Sequence, residues 1–551
     1  MTAPSQVLAA HLLAQLAANG VDHVFLAPGA RSQALAIAAG QLAEAGHIQL
    51  HVRLDERSLG FQALGVGLSS GFPAAVITTS GTAVANLHPS VLEAHHAGIP
   101  MILLTADRPA ELRGVGANQT TNQVGIFADA VVECIDVAAP ATSDSDADLA
   151  ARAESLAECA IVGAVSLGGP VQINLGFREP LSSQSPNSAE LFDALIAAQL
   201  ASDQSGFLSE SDSNSSECDD PNCGGHHNHA GLEPTVIDLS LKTVVVAGDG
   251  GYLAQWYCTG LPLFAEPSSG VRHMAESIPG YLFAMEGRSD LVDQVQQVLV
   301  FGKPTLSRQI QALIKKPGIR VFSDPGRHGV FNPGHNAHIL GDDVEFVGEA
   351  ESEWLEQWKA AGKELAKAAQ SPVKPGRVSR RELVGAVYSA AGKRNPLVLG
   401  ASRLIREADR WAPAKERKVY ANRGLAGIDG TVATATGIAL THPGATVRVL
   451  LGDLTLLHDA GSLAIDSHEP TLNLQIIVGN DSGGSIFQGL EVSKTTSESE
   501  FDRLFRTPQH IDFALLARAY GWQYVRAVSV DDLKAALKLK GRVVIEVPLE
   551  K

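Results

Sequence analysis

The chain is short of cysteine, of net positive charge and of long apolar runs, and each shortage closes off a class of function. Five cysteines among 551 residues, odd in number and scattered, do not make the disulfide framework of a small secreted domain. A formal net charge of −17 argues against nonspecific binding to nucleic acid or to anionic membrane, although it leaves room for a local basic pocket. No stretch approaches the roughly 18 uninterrupted apolar residues of a membrane-spanning helix. The N-terminus has no basic region ahead of an apolar core, so no secretory leader is expected. These absences point to a cytoplasmic protein with no nucleic-acid partner and no integral membrane contact. What is present is ordinary for a globular enzyme: 45% hydrophobic residues, 19% charged, and length enough for about two to four domains with ample core.

Along the chain, strand-like and helix-like segments alternate. Val24, Phe25 and Leu26 run into Pro28-Gly29 and an Ala-rich helix. Residues 48–54 read as a strand and 58–69 as a helix. The segment 74–78, a helix from about Thr82, and 101–105 repeat the unit. Such alternation predicts a parallel sheet with helices on both faces and functional loops at the strand carboxyl ends. A second α/β region opens at 243–247, with strand-like 298–301 and 320–322. A third runs from Arg381, with strands at 396–399, 419–421, 445–451, 472–478 and 543–547. The fold class is therefore α/β, with three doubly wound parallel-sheet domains at 1–182, 235–365 and 381–551.

The joining segments, 183–234 and 366–380, differ in composition. The first holds SESDSNSSECDDPNCGGHHNHAG, almost without apolar residues, and cannot bury enough surface to repay ordering, so it reads as a flexible polar insert. Cys218, Cys223, His226, His227 and His229 within it have metal-ligating side chains, but their spacing matches no recognised zinc pattern. The second is a polar, proline-containing linker. Gly248-Asp249-Gly250-Gly251 follows the strand at 243–247, yet lacks the full Gly-x-Gly-x-x-Gly and the acidic partner of a dinucleotide site.

Chemistry concentrates at strand ends. Gly452-Asp453-Leu454 follows the apolar run 445–451, and Asn480-Asp481-Ser482-Gly483-Gly484 follows 472–478. Glycines there let a backbone approach a phosphate, and paired acidic oxygens suit Mg²⁺ shared between protein and diphosphate. The pattern resembles the Gly-Asp-Gly…Asn-Asn motif of thiamine diphosphate enzymes, with Leu454 for the third glycine and Asp481 for the second asparagine. In the first region, strand ends carry Pro28-Gly29-Ala30-Arg31-Ser32, Arg53-Leu54-Asp55-Glu56-Arg57 and Ser80-Gly81-Thr82-Ala83-Val84-Ala85-Asn86. The Arg53–Arg57 cluster alone reads as a solvated charge group. Further segments are Leu104-Thr105-Ala106-Asp107-Arg108-Pro109, Gly116-Ala117-Asn118-Gln119, and Asn422-Arg423-Gly424 continuing through Leu425-Ala426-Gly427-Ile428-Asp429-Gly430.

Together these segments resemble the 2-succinyl-5-enolpyruvyl-6-hydroxy-3-cyclohexene-1-carboxylate synthases of menaquinone biosynthesis. The likeness covers the first and third domains almost end to end, the middle domain loosely and the insert not at all. It implies thiamine diphosphate with Mg²⁺ (or Mn²⁺), a pyrimidine-binding domain at 1–182 and a diphosphate-binding domain at 381–551. It gives Glu56 the shared proton on the cofactor's aminopyrimidine, which needs a carboxyl whose pKa an apolar setting would raise. Ile428 would hold the cofactor bent. Asp453, Asp481 and the carbonyl of Gly483 would bind the metal. Gly452, Leu454, Thr455, Gly484 and Ser485 would bind phosphate, and Ser80, Gly400, Ala401 and Ser402 would border the cofactor.

The reaction implied is decarboxylation of 2-oxoglutarate and 1,4-addition of the succinyl fragment to isochorismate. Each substrate carries two carboxylates, so an acidic protein must meet them with local arginines. Arg406, Arg423 and Ser402 fall on the succinyl side, and Ile486 and Phe487 are further substrate-binding residues. Arg31, Arg108, Asn118, Gln119 and Arg308 fall on the isochorismate side, with Gln119 also implied to be catalytic alongside Glu56 and Ile428. Ala30 stands where the pattern often has a serine. The likeness further implies a homodimer or dimer of dimers with active sites shared between chains. Rival readings are another thiamine-dependent 2-oxo acid enzyme, such as an acetolactate synthase, and a noncatalytic nucleotide- or flavin-binding protein.

Overall fold

A computed structural model describes residues 3–183, 186–205, 234–326, 329–341, 343–370 and 377–549. The insert cluster Cys218, Cys223, His226, His227 and His229 lies outside these residues. The chain forms two compact units, Met1–Asn228 with Ile465–Glu469, and His229–Ala464 with Pro470–Lys551.

The first unit is built on six parallel strands: β1 (His23–Leu26), β2 (Gln49–Val52), β3 (Ala74–Thr78), β4 (Met101–Asp107), β5 (Glu133–Val137) and β6 (Pro170–Gly176). Their order is β2-β1-β3-β4-β6-β5. β3, β4 and β6 are buried along their whole length, because helices cover both faces and leave no solvated side to alternate with. The order reverses between β1 and β3, and at such a switch point α/β sheets place their ligands at the strand carboxyl ends.

The second unit holds β7 (Thr235–Asp238), β8 (Thr243–Ala247), β9 (Leu263–Ala265), β10 (Gln297–Phe301), β11 (Arg320–Ser323), β12 (Ala337–Ile339) and β13 (Val344–Val347). Five of them make a parallel sheet, β12-β11-β10-β8-β9, and β13 pairs with β7 alone. A further sheet follows, from β14 (Leu397–Leu399), β15 (Val419–Tyr420), β16 (Thr446–Gly452), β17 (Asn473–Asn480), β18 (Gln523–Arg526) and β19 (Arg542–Pro548), in the order β15-β14-β16-β17-β19-β18.

Local chemistry sets several boundaries differently from the sequence pattern. The helix expected from Thr82 is two helices, Thr82–Ala85 and His88–Ala97, because Pro89 sits in the first turn of the second and suits a new start. The helix Ser352–Ala368 runs into the segment expected to be linker from Ala366. At the far side of that segment, Ser379 caps the helix Arg380–Ala390 by a reciprocal bond with Glu382. Gly248 and Gly302 explain the glycine cluster after β8. A Cβ on Gly248 would lie 2.0 Å from Pro304 N, and one on Gly302 would lie 2.2 Å from Asp249 O. The glycines let two loops touch, and a 3-10 turn, not an α-helix, follows them at Tyr252–Trp256. Among the described residues no helix is long and apolar enough to cross a membrane.

Candidate active site

In the first unit, Asp55 caps the helix Glu56–Ser70 by accepting from the amide of Arg57, so Glu56 becomes its first residue. Glu56 is half-buried, and its Oε2 accepts a 3.3 Å bond from Asn86 Nδ2. Beyond β3, Ser80 and Gln119 hold each other: Ser80 Oγ donates to Gln119 O at 2.9 Å and Gln119 Nε2 donates to Ser80 O at 3.0 Å. Gln119 has φ 54, an uncommon left-handed backbone for a non-glycine residue. Arg108 Nη1 contacts Ser80 Oγ and donates to Gln119 O at 2.9 Å. Partial burial, and then the neighbouring positive charge of Arg31, lower the pKa of the Arg108 guanidinium. Arg31 is tied to Phe177 O at 3.0 Å. Asn118 is exposed beside this group.

The cluster at the end of β2 is not a solvated group throughout. Arg53 is 5% exposed and pairs with Glu469 at 2.7 Å, and His51 Nδ1 lies 2.8 Å from the same carboxylate. These hydrogen bonds outweigh burial and hold Glu469 down at about 2.

In the second unit, a cavity of about 300 Å³ opens at the switch point between β14 and β16. Ala401 and Ser402 reach it from β14, Arg423 from β15, Gly452 to Thr455 from β16, and Asp481 and Gly483 to Phe487 from β17. Ile428, Ala426, Arg403, Leu404, Arg406 and Gly479 complete the wall. Gly400 stands behind it, where a Cβ would press on Leu451 Cβ at 2.9 Å. Ser402 has φ 104 at the head of the helix Arg403–Trp411, a strained backbone for serine, and its carbonyl accepts from Arg406 Nη1 at 2.7 Å. Arg423 is 4% exposed with its Nε unpartnered. Burial, reinforced by the charge of Arg423, lowers the pKa of Arg406. Arg308, grouped with the substrate arginines by resemblance, is absent from the cavity wall; its side chain is 74% exposed, 4.0 Å from Glu491.

Two carboxylates converge at this cavity. Burial, then the charge of Asp481, raises Asp453 to about 6. Asp453 Oδ2 accepts from the Gly483 amide at 2.8 Å, and Ser485 Oγ donates to Asp481 Oδ2 at 2.5 Å. A hard cation relieves such a pair, and carboxylate with backbone carbonyl is the donor set that Mg²⁺ or Mn²⁺ accepts. The residues therefore fit a divalent metal. A Cβ on Gly452 would meet nothing within 4 Å, so that glycine faces free space. Gly483 and Gly484 answer a different need: a Cβ on them would strike Arg506 O at 2.3 Å and Phe505 O at 2.9 Å. One residue escaped the sequence reading. Arg380 donates to Asp481 Oδ2 at 2.7 Å from a position 101 residues away, and only tertiary structure brings the two together.

Comparison with known proteins agrees with this division. Residues 6–126 match the thiamine pyrophosphate enzyme N-terminal TPP binding domain, and 403–547 match the corresponding C-terminal TPP binding domain. A 2-succinyl-5-enolpyruvyl-6-hydroxy-3-cyclohexene-1-carboxylate synthase of Leifsonia xyli subsp. xyli is 41% identical, over 100% of this chain and 97% of its own. The protein of that name from Clavibacter michiganensis subsp. michiganensis is 42% identical over 99% of this chain and 96% of its own. That from Paenarthrobacter aurescens is 38% identical over 97% and 92%. This chain belongs to that synthase family. Its two cofactor-binding domains carry the two residue sets described above, one in each unit.

Proposed function

We infer that the chain is a thiamine diphosphate-dependent transferase of menaquinone biosynthesis that decarboxylates 2-oxoglutarate and adds the remaining succinyl unit to isochorismate. The observation that carries this reading is the pairing, in one cavity, of the acidic Asp453 and Asp481 with the basic Arg406 and Arg423. A metal-diphosphate site and a dicarboxylate site share one wall.

When bound, thiamine diphosphate supplies a carbon nucleophile for the 2-oxo group and an acceptor for the electrons released with CO₂. The chain's own residues do the rest. Asp453, Asp481 and the Gly483 carbonyl hold Mg²⁺ or Mn²⁺. Gly452, Leu454, Thr455, Gly484 and Ser485 hold the diphosphate. Ile428 would support the cofactor, Gly400, Ala401, Ser402 and Ser80 would border it, and Glu56 would hold a proton at its pyrimidine nitrogen. Arg406 and Arg423 take the distal carboxylate of 2-oxoglutarate by charge-assisted hydrogen bonds, with Ser402, Ile486 and Phe487 around the chain. Arg31, Arg108, Asn118 and Gln119 receive isochorismate, whose carboxylates account for two arginines at the carboxyl end of one sheet, after β1 and β4, and Arg308 adds an exposed positive charge.

The domain scheme of 1–182, 235–365 and 381–551, with 183–234 and 366–380 as connectors, puts the cofactor's two ends on different domains. We propose a cytoplasmic homodimer, or dimer of dimers, in which each site takes its pyrimidine half from one chain and its diphosphate half from another. The test is direct. 2-Oxoglutarate, isochorismate, thiamine diphosphate and Mg²⁺ are mixed with the protein and CO₂ is followed. Release that requires isochorismate for turnover supports the reading; turnover of pyruvate in its place would displace it.

A further inference from the structure

Glu266 follows β9 and is buried, 1% exposed, in the second unit. Its Oε1 accepts a 2.8 Å bond from the amide of Leu306, and among the described residues its Oε2 has no partner. A buried polar atom left unpaired is costly, so stability alone does not explain a carboxyl here. The segment it grips leads to the cavity. Thr305 Oγ1, one residue before Leu306, accepts from Arg423 Nη2, and Lys303 Nζ donates to Gly424 O. Residues 303–306 thus form a splint, held by Glu266 on one side and seating Arg423 on the other. Nearby, Asp409 is fully partnered: Tyr281 Oη donates to both its oxygens at 2.8 Å and Arg272 pairs with it at 3.3 Å. Among the described residues, Glu266 has no such cation at hydrogen-bond distance. Burial, then the charge of Asp409, pushes it up to about 8.

We propose that Glu266 is a positioning residue that fixes Arg423 for the second carboxylate of the 2-oxo acid, through the splint 303–306. The inference rests on the reading of Arg423 given above. It separates selectivity from chemistry: Glu266 acts on recognition of the diacid and on neither the cofactor nor the second substrate.

Steady-state kinetics of Glu266→Ala, Glu266→Gln and Thr305→Val test it, with thiamine diphosphate affinity measured by fluorescence quenching. Glu266→Ala should raise KM for 2-oxoglutarate about tenfold, the scale of one charge-assisted hydrogen bond removed, with kcat within about threefold. KM for isochorismate and cofactor affinity should stay within about twofold. Glu266→Gln keeps a neutral acceptor for Leu306 N and should restore KM. Thr305→Val removes the acceptor for Arg423 with little change of volume, and should show the same selective rise even where the alanine variant does not fold. The proposal fails if both KM values rise together, if neither the alanine nor the valine variant moves KM for 2-oxoglutarate, or if glutamine is as damaging as alanine. Arg423→Met separates the two levels of inference. If it raises KM for 2-oxoglutarate while Glu266→Ala and Thr305→Val do not, only the splint is wrong; if it too changes nothing, the substrate assignment itself falls.

Discussion

The sheet of the first unit and the six-stranded sheet of the second have the same strand order, β2-β1-β3-β4-β6-β5 and β15-β14-β16-β17-β19-β18. Corresponding strand ends carry opposite chemistry. After β3 come Ser80-Gly81-Thr82, with Arg108 and Gln119 across from Ser80. After β16, the equivalent strand, come Gly452-Asp453-Leu454 with Asp481. One topology offers a switch point in the same place twice, and the side chains at its rim decide what each can hold. The arginine-rich rim suits anionic substrate and the acidic rim suits a metal-bound diphosphate.

The largest expected effect breaks this division at its catalytic end. Glu56→Gln keeps shape but not the transferable proton, so kcat should fall by about 10²–10⁴-fold. Thiamine diphosphate affinity, set by the other sheet, should change less than about threefold. Calorimetry alongside turnover checks both, and near-normal kcat would remove Glu56 from its role. Asp481→Ala is the counterpart. Thiamine diphosphate and Mg²⁺ affinities should fall together by about 10–100-fold, the range for damaged metal sites, with partial rescue by excess Mg²⁺. Unchanged cofactor affinity would show that the acidic rim is not the metal site.

How much of this comparison could be read from the chain depends on distance in sequence. β3 and β4 were legible because 74–77 and 101–104 are unbroken apolar runs, each closed by a threonine. Asp453 and Asp481 were legible because each directly follows such a run. β18 was not, since Gln523–Arg526 is short, half-exposed and without a clear period. Nor were Arg380 and Glu266: their partners Asp481 and Leu306 lie 101 and 40 positions away, and nothing local distinguishes them from surface charge. Arg53 misled in the same way, because Glu469 comes to it from 416 residues along the chain.

A subtler test asks whether the two sheets serve one site through different chains. Glu56→Gln damages one half and Asp453→Ala the other. In a symmetric dimer with shared sites, a mixed dimer carries both defects in one site and leaves the second intact. Random pairing then returns about a quarter of wild-type activity from two inactive parents. Purified mixed dimers as dead as either parent would place both halves in one chain.

The smallest effect sharpens the comparison through two buried glutamates. Glu469, in the first unit, is paired with Arg53 and His51 and held at about 2 against an ordinary 4.5. Its stabilising contribution is complete above pH 4.5 and lost as pH falls toward 2. His23, beside His51, is lowered to about 4 from 6.5, first by burial and then by its neighbour. Its unfolded form takes a proton before its folded form does, so stability drains as pH falls from 6.5 to 4. Glu266, in the second unit, runs the other way. Raised to about 8, it keeps in the folded state a proton that the unfolded chain releases above 4.5. Its contribution is complete below pH 4.5 and declines as pH rises to 8. Among these three groups, acid sensitivity falls to Glu469 and His23 and alkali sensitivity to Glu266. In thermal denaturation from pH 4.5 to 8, His23→Gln should recover about 1 kcal/mol at the acid end, allowing for its partial exposure, and nothing at pH 8. Glu266→Gln should flatten the alkaline limb and leave the acid limb alone. If either variant shifts both limbs equally, the two units do not carry separate electrostatics, and the contrast between paired and unpaired carboxylates fails as the cause.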